Sequence, residues 1–284
     1  MLLREAKQGL GEDRVGFGSH AVWCLDGASS LTGTKVTDHP TDAIWLVEFW
    51  HEYLLALRDP PMAALGSLVR AGVMRSRECF QRLMERKGCL PVAEAFPSTC
   101  LSIVAVENDS LACWTLGDSL IAVLLNDGQL QLLRDDRVER FDVAVTVKFA
   151  TALKQGTPPD EARKLVEPEL LANRQRRNRT DGYFILADDL DAVSQAKMFH
   201  LPLSSVAKVF LCTDGLLQAV APFGLFPNNE ALCREILNGD AQTLSNLGER
   251  LEIAAGQDPN CVKYPRLKII DDMAAISCAV TTTA

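Results

Sequence analysis

The chain has 284 residues, enough for one large domain or two small ones. Its 48% apolar and 23% charged residues give the balance of a globular protein rather than a disordered one. A formal net charge of −8 argues against wholesale nucleic-acid binding and against docking on an anionic membrane, since both need a basic surface.

The N-terminal run Met1-Leu2-Leu3-Arg4-Glu5 lacks the uninterrupted apolar stretch of a secretion signal, and no segment approaches the ~20 apolar residues of a membrane span. Residues 14–25 pass from Gly-rich, loop-like sequence into the apolar run Ala21-Val22-Trp23-Cys24-Leu25. That run reads as a short strand ending at the turn Asp26-Gly27-Ala28-Ser29-Ser30. A helix is expected from about Thr41 to Leu57, with Thr41 as N-cap and Asp59-Pro60-Pro61 as its stop. Its apolar residues, from Ile44 and Trp45 to Leu55 and Leu57, cover more than one narrow stripe, which predicts a helix held between two layers. A second helix follows from about Met62 to Lys87.

Four strands then succeed one another at Leu101–Val106, Leu111–Leu116, Leu120–Leu125 and Gln129–Leu133. Asn-Asp, Gly-Asp-Ser and Asn-Asp-Gly turn signals separate them, the pattern of an antiparallel meander. Residues 150–180 change character, with the break Gly156-Thr157-Pro158-Pro159, a helix start at Asp160-Glu161 and a basic run at Arg174, Arg176, Arg177 and Arg179. This segment reads as an inserted flap. Strand character returns at Tyr183–Leu186 and at Val206–Cys212, which ends at Thr213-Asp214-Gly215. Helical stretches from Asn229 to Leu237 and from Ala241 to Ala255 lead to Asp271-Asp272 and the closing run Met273–Val280. Strands and helices come in blocks, so the class is α+β with antiparallel sheets, in one domain spanning 1–284 with the flap at about 150–180.

Nine cysteines lie scattered, mostly in apolar segments and with no Cys-x-x-Cys pair, which fits a reducing cytoplasm better than a disulfide framework. The four histidines, at 20, 39, 51 and 200, never fall at the close spacing typical of zinc sites. A metal bound by this chain would therefore rest on oxygen ligands. Aspartates supply them in a recurrent position, at the end or start of apolar strands: Asp26, Asp118, Asp214 and Asp271. Turn chemistry explains any one of them alone. If the four strand ends meet at one edge of packed sheets, however, their charges cannot coexist without a cation, and Mg²⁺ and Mn²⁺ suit such ligands.

The ordered set Glu12-Asp13, Asp26-Gly27, Gly117-Asp118-Ser119, Thr213-Asp214-Gly215 and Asp271-Asp272-Met273 resembles the metal-dependent serine/threonine protein phosphatases of type 2C. The resemblance runs from about residue 9 to residue 281 and is nearest to compact bacterial members, which are stand-alone catalytic domains. It implies a four-layer α-β-β-α sandwich, two antiparallel sheets face to face with helices outside. It also implies a centre of two Mn²⁺ or Mg²⁺ ions. Asp26 would bridge them with the Gly27 carbonyl as a further ligand, Asp214 and Asp271 would hold one ion, and Glu12 would orient waters at the other. Asp13 would be an acid near the shared water, and Asp118 would serve an additional ion that is weak or absent. The chemistry implied is in-line attack on phosphorus by an activated water, without a covalent enzyme intermediate. No cysteine here is followed by arginine six positions later, which agrees with that route. The implied partners are phosphorylated proteins and an opposing serine/threonine kinase.

Three positions depart from the family pattern. The arginine that clamps substrate phosphate, four or five residues before the Glu-Asp pair, is replaced by Gln8 and Lys7, so Lys7 or the more distant Arg4 would meet the phosphate as a weaker partner. Ala28 stands where larger members carry a histidine that protonates the leaving group, and His20 and His39 are candidates to replace it. Gln218 stands where an aspartate completes the additional metal site. These departures keep two alternatives open: a pseudophosphatase that binds without turnover, and a hydrolase of small phosphoesters. The Arg174–Arg179 run would steer a phosphorylated substrate or serve as a solvated charged face.

Overall fold

A computed structural model describes residues 11–30, 34–57, 61, 64–89, 95–240 and 242–280, apart from the Asp142 side chain, and residues 2–7 for their backbone alone. Among these residues, ten strands form two five-stranded antiparallel sheets. One sheet has the order β2 (Asp13–Phe17), β3 (Ala21–Ala28), β4 (Ser98–Glu107), β5 (Ser110–Leu116), β8 (Lys197–Pro202). The other has the order β1 (Leu2–Lys7), β10 (Ala275–Ala279), β9 (Val206–Cys212), β6 (Leu120–Leu125), β7 (Leu130–Leu133).

Alternation along each strand decides what packs where, because successive side chains point to opposite faces. Val22, Cys24, Val104 and Cys113 of the first sheet meet Ile121, Val123, Val209, Leu211 and Ile276 of the second, forming the core between the sheets. The neighbouring residues Trp23, Leu25, Leu101 and Ile103 face outward onto α1 (Asp42–Leu57) and α2 (Leu65–Arg86). On the far side, Leu120, Ala122, Phe210 and Cys212 are covered by α6 (Asn229–Asn238) and α7 (Gln242–Gly256). The result is the expected α-β-β-α sandwich.

Helix α1 begins where Thr41 Oγ1 accepts from the Ile44 amide at 3.2 Å, the N-cap expected from sequence. It buries Leu46, Val47, Trp50 and Leu54, while Trp45 on its flank lies 5.3 Å from the Phe80 ring of α2. Its broad apolar surface is thus shared between a sheet and a helix. The expected stop at Asp59-Pro60 and the expected start of α2 at Met62 lie outside the described residues.

Three expectations change. Residues 150–180 fall largely within a helical hairpin of α3 (Arg137–Lys154) and α4 (Pro159–Arg174), which begins well before residue 150. It carries its own small core of Val145, Phe149, Ala152, Ala162 and Val166, closed by Cys261. Tyr183–Leu186 is not a strand: Tyr183 and Leu186 make single bridges, to Arg177 and Thr99, and the segment is buried without a ladder. The loop-like stretch around Gly16 is strand β2, and β8 arises from a segment whose burial alternates along an edge, with Met198 exposed. Edge strands bury one face at most, so their apolar signal is weak.

Candidate metal centre

Register assembles the centre. Asp13 of β2 lies directly opposite Asp26 of β3, and Asp26 lies directly opposite Cys100 of β4. Directly opposed residues share a face, and this row lies on the face of Val15, Cys24 and Val104, the face that meets the other sheet. At this end of the sandwich, two carboxyls and a thiol stand where apolar filling would continue. The second sheet adds its own acids. Thr213 and Asp272 stand two residues from the inward-facing Leu211 and Ala274, and Asp214 opens the four-residue helix α5 (Asp214–Leu217).

Hydrogen bonds lock the strand ends together. Asp272 Oδ2 accepts from the Glu12 amide at 2.7 Å, and the Gly27 amide donates to the Glu12 carbonyl at 3.0 Å. Ser29 Oγ donates to Glu12 Oε1 at 2.9 Å. The Thr213 amide donates to the Ala274 carbonyl at 3.0 Å, and the Ala274 amide donates to Thr213 Oγ1 at 3.0 Å. Gly215 is needed here: a Cβ at that position would stand 1.8 Å from the Asp272 carbonyl oxygen. Gly117, in the left-handed region at φ +99°, turns the chain so that Asp118 folds back and its Oδ1 takes the Cys100 thiol at 3.0 Å.

The electrostatics follow from crowding. Asp13 is 3% exposed; burial pushes its carboxyl well above the usual range, a hydrogen bond from Thr213 opposes this, and Asp214, Asp271 and Asp272 add repulsion. Desolvation, then repulsion from Asp13, Asp214, Asp118 and Asp271, raises Asp26 in the same sense. Asp118 is also raised, by burial first, against the Cys100 hydrogen bond and Arg134. Two cations offset part of this charge. Lys268 Nζ lies 2.5 Å from Asp271 Oδ1 and also feels Asp214 and Asp26. Arg134 Nε donates to the Asp118 carbonyl at 2.8 Å.

Asp13 Oδ2 is buried and has no hydrogen-bond partner among the described residues. An unpaired carboxylate oxygen facing further carboxylates fits hard divalent cations with retained waters. The residues expected from sequence thus arrive together: Glu12, Asp13, Asp26, Gly27, Asp118, Asp214 and Asp271. Asp272, Thr213, Lys268, Arg134 and Cys100 join them without an assigned role; of these only Thr213 and Asp272 carried a signal, as members of the Thr213-Asp214-Gly215 and Asp271-Asp272-Met273 motifs. The side chains of Arg4 and Lys7 lie outside the described residues. His20 sits at the β2–β3 turn, the opposite end of β3 from Asp26 and ~20 Å along the strand, too far to protonate a leaving group. His39 Nε2 pairs with Glu48 at 2.9 Å on α1. In the basic run, Arg176 lies 5.7 Å over the Phe141 ring and Arg177 donates to the Phe96 carbonyl at 3.0 Å, so both anchor the hairpin.

A profile of the family described as protein phosphatase 2C matches residues 7–237. The chain belongs to the protein phosphatase 2C family. Solved structures agree on the fold. The serine/threonine phosphatase PstP/Ppp of Mycobacterium tuberculosis superposes with a TM-score of 0.57 at 18% identity, covering 99% of this chain and 100% of that one. Stp1 of Staphylococcus aureus gives 0.54 at 17%, over 100% and 96%. The catalytic domain of PstP in complex with 2 manganese ions gives 0.52 at 17%, over 98% and 96%. At such identities these likenesses speak for the fold alone. No curated protein matches. As a member of this family the chain is a hydrolase acting on phosphoproteins.

Proposed function

We infer that this chain is a metal-dependent serine/threonine phosphatase whose centre is the acidic end of the sandwich. The observation that carries the reading is the cross-sheet gathering of Asp13, Asp26, Asp118, Asp214, Asp271 and Asp272 around an unpaired buried oxygen. Asp26, Asp214 and Asp271 would hold two Mn²⁺ or Mg²⁺ ions, the number and kind of ion carried by the PstP structure in the case of manganese. When bound, the cations lower the pKa of water and neutralise charge on the phosphoryl oxygens. Glu12, oriented by Ser29, fixes water through its carboxylate. Asp13, held by Thr213, presents Oδ2 as the atom that takes a proton as water attacks phosphorus in line. Lys268 must yield Asp271 Oδ1 before that oxygen can serve as a ligand.

The whole chain would act as one catalytic unit, with the α3–α4 hairpin as a flap over the site. The flap's base is tied to it by Arg134 at Asp118, and is braced locally by Arg137, whose guanidinium grips the buried Asp135. An opposing serine/threonine kinase and a signalling role are the matching partners. Nine free thiols support a reducing, cytoplasmic setting. Among the described residues, no helix is long and apolar enough to cross a membrane.

The test is turnover of a phosphothreonine peptide. Mn²⁺-dependent hydrolysis should be abolished by chelator and should fall at least ~100-fold in Asp214→Asn, the scale of losing one charge-stabilising group. Undiminished turnover in excess chelator would overturn the reading. Comparing catalytic efficiency on small phosphoesters separates the metabolite alternative, and calorimetry showing Mn²⁺ binding without turnover on any phosphopeptide would mark a binding module instead.

A further inference from the structure

We propose that Cys100 is a metal ligand, completing with Asp26 and Asp118 a mixed thiolate–carboxylate site for a borderline-soft cation of the zinc class. It goes beyond the phosphatase reading, sharing Asp26 and Asp118 with it but resting on a different donor.

The geometry is built by register. Cys100 stands opposite Asp26 on one side. On its other side, the pairing of Leu101 with Leu116 puts Gly117 opposite Cys100. A Cβ at Gly117 would lie 2.4 Å from Cys100 Sγ, so the glycine keeps the space in which the sulfur sits. The same glycine, at φ +99°, returns Asp118 over that space. One oxygen of Asp26, Cys100 Sγ and one oxygen of Asp118 all lie within 4.8 Å of one another. Around a tetrahedral ion with bonds of roughly 2.0–2.3 Å, donors stand ~3.3–3.5 Å apart. Cys100 Sγ and Asp118 Oδ1, at 3.0 Å, already meet that spacing, so closure needs only the Asp26 oxygen to move in, by at most about 1.5 Å.

A second, separate observation points to a ligand here. Asp13, 3% exposed and next in the row on the same face, carries a buried oxygen without a partner, and its charge acts on Asp26.

The choice of cation follows from the donors. A thiol is a weak hydrogen-bond donor, a poor means of satisfying a buried carboxylate. As a thiolate it is a strong ligand for zinc and cadmium and a poor one for Mg²⁺, which demands oxygen. Binding replaces the S–H bond by an S–metal bond, and the proton now donated to Asp118 Oδ1 leaves to solvent.

The full-length protein, stripped with chelator, is titrated with Cd²⁺ while the thiolate-to-metal charge-transfer absorption is followed. One equivalent should raise the band. Cys100→Ser should abolish it, whereas Cys79→Ser, at an exposed cysteine, should leave it. Zn²⁺ affinity should fall in Cys100→Ser by more than the ~10–100-fold typical of losing a group that merely supports a ligand. The wild-type protein gives an answer that no folding defect can confuse. X-ray absorption with one equivalent of Zn²⁺ should show a single sulfur at ~2.3 Å. An all-oxygen shell, or a cadmium band that survives Cys100→Ser, overturns the proposal. Mn²⁺ calorimetry on the same samples separates the two readings. Normal Mn²⁺ binding with an oxygen-only zinc shell sinks the thiolate site alone, and loss of Mn²⁺ binding to the wild type sinks the phosphatase centre too.

Discussion

Replacing Asp26 by asparagine should stabilise the metal-free protein at neutral pH while removing its response to metal. Asp26 and Asp13 are directly opposed neighbours on one face, so their carboxylates approach to ~5 Å and repel by about 3 kcal/mol at an effective dielectric of 20. Asp26 is partly exposed, so solvent screening cuts this to about 1–2 kcal/mol. The new amide also offers N–H to the unpaired Asp13 Oδ2, a hydrogen bond of about 1 kcal/mol. Together they amount to about 2–3 kcal/mol, a rise in Tm of roughly 3–5 °C for a chain of this size.

The pH dependence gives the sign. Both carboxyls are raised in the folded state, so the native protein holds protons that the unfolded chain has released above about pH 4. Metal-free stability therefore falls as pH rises from there through the raised values, and Asp26→Asn removes part of that fall. Thermal melts in chelator at pH 4 and pH 7.5 should show the variant's advantage only at the higher pH. Saturating Mn²⁺ at about 100 times its Kd should add about 2.7 kcal/mol per site to the wild type and far less to the variant. A variant less stable than wild type at both pH values, or one stabilised equally by Mn²⁺, would refute the reasoning.

The same protons compete with metal, so Mn²⁺ affinity measured by calorimetry should rise with pH through the raised carboxylate range and then level off. Gly215→Ala should lower Tm and weaken Mn²⁺ binding, because its methyl group drives the Asp272 backbone out of place; overpacking of this kind costs about 1–3 kcal/mol. Phe149→Ala should cost about 3–5 kcal/mol locally. The hairpin core is separate from the cores of the sheets, so hydrogen exchange should speed up in α3 and α4 while β3 and β4 keep their protection. Equal loss of protection in both regions would show that the hairpin is not a separate unit.

Much of this protein is legible in its sequence because the physics is local. The unbroken apolar run Ala21–Leu25 and the mostly apolar Leu101–Val106, each bounded by turn signals, mark strands buried on both faces, and the Thr41 cap with the wide apolar surface behind it marks a helix held between layers. The acids at strand ends are visible for the same reason: a polar residue that closes an apolar run stands at an edge. Local signals are weaker where an element buries only one side, which is why β2 and β8 escape notice. They mislead where burial is achieved without a ladder, as at Tyr183–Leu186.

What the tertiary structure alone decides is which residues meet across long separations. Nothing near Cys100 in the chain announces a metal or a carboxylate, and it reads as a small hydrophobe. Its place between Asp26 and Gly117 comes from the register of β3, β4 and β5. Likewise, Asp272 reaches the Glu12 amide across 260 residues only because the two sheets close on each other. Sequence determines the kinds of atoms available for the chemistry; pairing and packing, summed over the whole sandwich, determine which of them share one ion's reach.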